Sequence, residues 1–167
     1  TASILERQIF RLRGEHKKLM ELLTSFVETA STNEDLFLKS KKLTLKILDS
    51  KSKKDAIEIV ESIFRKEFKI DKPFLKFFNN TSINDVESKT GFSFHKGAIY
   101  CGSFSKEKVI ALFDDEKVES MVVTVVLAGD EIGLLMLGSY DRSKYLGDED
   151  TTFIEYIRDV LEKKLTK

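Results

Sequence analysis

The sequence holds one cysteine, one proline, two histidines and no tryptophan in its 167 residues. A single thiol, Cys101, leaves no internal disulfide to form, which fits a reducing cytosol. His16 and His95 stand far apart in the chain, and no H-x-x-x-H or C-x-x-C spacing occurs. A metal site needs several converging ligands, so neither a metal nor another cofactor is expected. Cys101 with His95 is the one nucleophile–base pair by residue type. Six residues apart in a loop is no recognised catalytic arrangement, and no enzyme is expected. Phosphate-cradling G-x-x-x-x-G-K-[ST] and G-x-G-x-x-G loops are absent as well.

Net charge is also missing. Lys+Arg and Asp+Glu both number 28, so there is no overall basic excess to neutralise phosphates, and nucleic acid is not an expected partner. No apolar run approaches the ~20 residues that span a bilayer. The start, Thr1-Ala2-Ser3-Ile4-Leu5-Glu6-Arg7, has no signal-peptide pattern and no initiator Met. A cytoplasmic chain without membrane contact is expected, here as a piece trimmed at its N-terminus. The acidic runs Asp114-Asp115-Glu116 and Asp148-Glu149-Asp150 read as solvated loops.

What is present is ample apolar material: 41% hydrophobic residues, including 13 Phe, enough for one domain with a Phe-rich core. The first thirty residues read as one helix. Leu5, Ile9, Leu12, His16, Leu19, Leu23, Phe26 and Ala30 alternate at spacings of four and three, the seam of a coiled coil. Such a stripe needs a partner helix. A homodimer is expected, with His16 as a polar residue setting register; folding back on its own domain is the alternative. Ser31-Thr32-Asn33 predicts a break or kink, dividing a dimerisation helix at 1–32 from a domain at 33–167.

Helical character resumes to about residue 48. A second amphipathic helix carries Ala56, Ile57, Val60, Ile63, Phe64 and Phe68 on one side. After Pro73, Phe74-Leu75-Lys76-Phe77-Phe78 reads as a short strand. Residues 79–94 give a loop or short helix, and 97–103 a strand end or loop. Ser105 can cap a helix to Phe113. Residues 120–127 and 132–139 form an antiparallel hairpin about Gly129, apolar on both faces and so central in its sheet. Thr152 and Glu155 make a capping-box pattern ahead of the last helix. The fold class is α+β: an antiparallel sheet flanked by helices, led by a long coiled-coil-type helix.

These landmarks resemble the bacterial GAF-like family known as domain of unknown function 484. Ser3-Ile4-Leu5-Glu6-Arg7-Gln8 with Leu12-Arg13 resembles its opening helix. Tyr100-Cys101-Gly102 resembles its YCG loop. Gly133-Leu134-Leu135-Met136-Leu137-Gly138-Ser139 with Asp141 resembles its GLLALGSxD segment, and Thr151-x-Phe153-Ile154 its last helix start. The resemblance covers nearly the whole chain. It implies a GAF-like sheet, a helical dimer, a cytosolic bacterial setting and no established activity. The chain departs from the pattern at Tyr140 (often Arg), Arg142 (Pro), Leu146-Gly147 (His-Pro) and Asp150 (Gly).

Two functions follow as expectations. In the first, a regulatory module binds a small ligand over one sheet face. Alternation puts Ser120, Val122, Thr124 and Val126 on that face. Ser120 and Thr124 would supply polar groups in an apolar site. Tyr100, Cys101 and Gly102, just before the helix at 105–113, would form the lid side, and Ser139 completes the candidate set. In the second, the core is a filled, ligand-free scaffold and the chain assembles with a protein partner.

Overall fold

A computed structural model describes residues 2–145 and 151–166, apart from the side chains of residues 2, 26, 29, 30 and 32. The side chains of Phe26 and Ala30, the departures at Leu146-Gly147 and Asp150, and the run Asp148-Glu149-Asp150 therefore lie outside the described residues. Contacts divide the chain into two compact units, Thr1–Lys39 and Ser40–Lys167.

Helix α1 runs over Ala2–Asp49, so Ser31-Thr32-Asn33 do not break it. The physical reason is one of size. Each of these residues costs only about 0.5 kcal/mol against Ala within a helix, far less than a proline would, and α1 contains none. The first unit is helix alone, and its seam side chains Leu5, Ile9, Leu12, Leu19 and Leu23 are all about half exposed or more. Among the described residues, no helix is long and apolar enough to cross a membrane.

The second unit keeps the end of α1, where Leu43 and Ile47 are fully buried. It continues with α2 (Lys53–Lys66), β1 (Lys72–Phe78), α3 (Asn80–Thr90), β2 (Ile99–Gly102), α4 (Lys106–Phe113), β3 (Ser120–Ala128), β4 (Glu131–Ser139) and α5 (Thr152–Leu165). Ser52 caps α2 by accepting from the Asp55 N–H at 3.0 Å. The undecided segment 79–94 is largely α3. It opens on a capping box between Asn79 and Ser82 and closes on Gly91 in the left-handed conformation. The capping box expected at Thr152 is not formed. Thr151 stands at that N-terminus, and no side-chain capping bond is made there.

The sheet is antiparallel with strand order β1-β4-β3-β2, which puts the β3–β4 hairpin at its centre. Each face carries its own core, which is why both hairpin strands are apolar on both sides. Val122, Val126, Leu135 and Leu137 pack with α2, α5 and the end of α1. Val123, Val125, Leu134 and Met136 pack with α3, α4 and the Phe92–Phe94 segment. Two glutamates guard backbone N–H groups of the sheet. Glu61 of α2 accepts from the Leu75 N–H at 3.1 Å, and Glu162 of α5 accepts from the Leu127 N–H at 3.2 Å. Paired strand groups leave less template for stray β-pairing.

Candidate functional site

The pleat of β3 places Ser120, Val122, Thr124 and Val126 on one face, as alternation requires. That face is the one covered by α2 and α5, not by α4. In β2, Tyr100 turns to the α3–α4 side while Ile99 and Cys101 turn to the α5 side. Tyr100 is thus separated by the sheet from Ser120 and Thr124, whereas Cys101 shares their face. Tyr100 is a partner of Phe92, stacked at 4.2 Å between ring centroids. Its hydroxyl donates to the Ser93 carbonyl at 2.7 Å and accepts from the Ser93 N–H at 3.1 Å. Cys101 is half-buried against the α5-side core, and Gly102 is buried.

The three candidate hydroxyls are spent within the fold. Ser120 Oγ donates to the Asp141 carbonyl at 2.6 Å. Thr124 Oγ1, fully buried, donates to the Ala98 carbonyl at 3.0 Å and lies 3.4 Å from Arg158 Nη1. Ser139 Oγ accepts from the Asp141 N–H at 3.1 Å and reaches the Asp71 carboxylate at 3.5 Å. These bonds pin the strand ends and the 139–143 turn. They leave the hydroxyls little capacity for a ligand. His95 is exposed, with its ring Nδ1 3.1 Å from the Lys96 carbonyl. Among the described residues no group of three or more His, Cys, Asp or Glu is placed to hold a metal ion.

A polar cluster that the sequence did not reveal lies where β1 begins and β4 ends. Asp115 Oδ2 accepts the Tyr140 hydroxyl at 2.9 Å and stands 3.5 Å from Lys72 Nζ, while Oδ1 accepts the Lys117 N–H at 2.9 Å. The Lys117 amide, then the Tyr140 hydroxyl, hold the Asp115 carboxyl below its ordinary value. The same bond to Asp115 pushes the Tyr140 phenol up. Asp71 accepts from the Tyr140 N–H at 3.0 Å. The side chain of Asp115 is only 17% exposed, so this member of the acidic run at 114–116 is not simply solvated. The sole sequence signal was its place between a helix end and a strand start.

The model of the family described as "Protein of unknown function, DUF484" matches residues 1–167. The chain belongs to the DUF484 family. No curated protein matches it.

One concavity in the second unit of this DUF484 protein lies away from all the candidate residues. It is a cleft of about 420 Å³ lined by residues 50–53, Ala128, Asp130, Glu131, Lys164 and Leu165. Two of its lysines are engaged within the fold. Lys53 pairs with Glu131, and Lys164 Nζ donates to the Leu48 carbonyl at 2.8 Å.

Proposed function

We propose that this DUF484 protein is a non-catalytic assembly module that associates with a second copy of itself through the helical arm, in the cytosol. The single observation that carries this reading is the exposure of the arm's apolar side chains. Leu5, Leu12, Leu19 and Leu23 are each 50–60% exposed along one seam. A contiguous apolar stripe of that length is rare on a monomer and marks an interaction surface. Covering a half-exposed leucine is worth about 1 kcal/mol, so several of them together favour the pairing of two helices. The strict four-and-three spacing is what a second helix of the same kind accepts.

The core supports the assembly reading over the ligand-sensing one, because the face expected to hold a ligand is packed by α2 and α5 and its hydroxyls bond internally. On this reading the sheet is a scaffold. Its role is to anchor the arm and present a protein partner with a fixed surface. Replacing Leu12 and Leu23 together by Asp tests the association. The expected result is a monomer with the thermal unfolding of the second unit unchanged. An unaltered subunit count would sink the reading.

A further inference from the structure

We propose that the outer face of the arm's first half, Arg7, Arg11 and Lys18 around Gly14, docks on the phosphate backbone of a nucleic-acid duplex, which approaches the helix closely at Gly14. This goes beyond self-association and needs no pairing of copies. The zero net charge of the whole chain, which made nucleic acid an unexpected partner, conceals a local excess. Residues 7–18 carry five cations, Arg7, Arg11, Arg13, Lys17 and Lys18, against one carboxylate, Glu15. Residues 21–35 carry Glu21, Glu28, Glu34 and Asp35 and no Lys or Arg. All five cations are exposed. Of the five, only Arg11 makes an ion pair among the described residues, with Glu15 at 3.7 Å.

Two further observations give this surplus a direction. At about 100° of turn per residue, Arg7, Arg11 and Lys18 fall within about 40° of one another. They stand on the side of α1 opposite the seam residues Leu5, Leu12 and His16. Gly14 lies on that same side, between Arg11 and Lys18. A glycine inside a helix weakens it relative to Ala, and nothing lies within 4 Å of a Cβ built at Gly14, so packing within the chain does not account for it. What a bare α-carbon permits is close approach of the backbone to a ligand. The placement also chooses between polyanions. A helix lying on a bilayer turns its apolar face inward, so Arg7, Arg11 and Lys18 would point away from the headgroups. A duplex carries about one charge per 1.7 Å of its axis, and a helix meets it with this one face. The footprint spans about three turns, roughly 16 Å, because Glu21 and Glu28 continue the same side with the opposite charge.

Fluorescence anisotropy of the full chain with a labelled short DNA duplex and its RNA counterpart, over a range of salt, tests this. The wild type should bind at least one of them in low salt. Arg7→Gln with Arg11→Gln and Lys18→Gln keeps good helix formers. It should weaken binding about tenfold or more and make the dependence of log affinity on log salt shallower by about 2–3. Lys54→Gln with Lys66→Gln and Lys96→Gln removes the same charge from exposed sites of the second unit and should leave the affinity within about twofold. Gly14→Ala should weaken binding about threefold or more while far-UV dichroism shows more helix. A wild type that binds neither duplex overturns the inference, whether or not it binds vesicles of anionic phosphatidylglycerol. Equal losses in the two triple variants overturn it as well, as does a Gly14→Ala chain that binds more tightly as its helix content rises.

Discussion

Tyr140 donates its phenolic proton to the Asp115 carboxylate at 2.9 Å, joining the end of β4 to the turn after α4. With the Lys117 amide and Lys72, this bond keeps Asp115 ionised below its ordinary value of 3.8. A carboxyl depressed on folding stabilises the native state fully above its unfolded value, and that contribution fades as pH falls through the lower native value. Carbon-detected NMR titration should place the Asp115 midpoint under 3.8 in the wild type and nearer 3.8 in Tyr140→Phe. Asp115→Asn should be less stable than wild type at neutral pH, and the gap should close in strong acid. A midpoint unmoved by Tyr140→Phe would mean the bond is not formed in solution.

Thr124 tests whether the candidate hydroxyls are structural. Thr124→Val preserves shape and removes the bond to the Ala98 carbonyl, which still accepts from the Val125 N–H at 3.2 Å, together with the long bond accepted from Arg158 Nη1 at 3.4 Å. The loss should be about 1 kcal/mol of unfolding free energy, the worth of one ordinary hydrogen bond without a stranded acceptor. Urea titration measures it. A loss of 3 kcal/mol or more (roughly the cost of stranding a buried polar group) would show that Thr124 supports more than these two contacts.

Glycines in the two units should respond with opposite signs. A Cβ on Gly138 would meet Phe113 Cε1 at 2.9 Å and Val118 Cγ1 at 3.1 Å, so Gly138→Ala should cost about 1–3 kcal/mol through overpacking. Gly14, mid-way along the arm, has nothing within 4 Å of such a Cβ, and Gly14→Ala should favour helix by about 1 kcal/mol. Thermal unfolding of the first and far-UV dichroism of the second check these. A neutral Gly138→Ala would contradict the close approach of α4 to β4.

The parts of the fold written in apolar periodicity were legible in the sequence. The β3–β4 hairpin and α2 show it most clearly, because two-sided burial and a helical stripe leave direct marks. Helix α3 was not legible as a helix. Among its residues only Ile83 and Thr90 are buried, so periodicity had almost nothing to report, and the signals were Asn79 with Ser82 and the closing Gly91. The continuity of α1 was obscured because Ser, Thr and Asn favour breaks without enforcing them. For the candidate site, alternation assigned Thr124 and Ser120 to one face correctly. What a sequence does not carry is which helix covers which face, and α4 covers the other one. The Asp115–Tyr140–Lys72 cluster joins three distant segments, and no local pattern announces it.

The most direct test of the account is sedimentation equilibrium of the unaltered chain over nanomolar to tens-of-micromolar concentration. The account predicts a reversible dimer whose dissociation is promoted by Leu12→Asp with Leu23→Asp. A monomer at every concentration would contradict it, and the exposed seam of α1 would then need another partner.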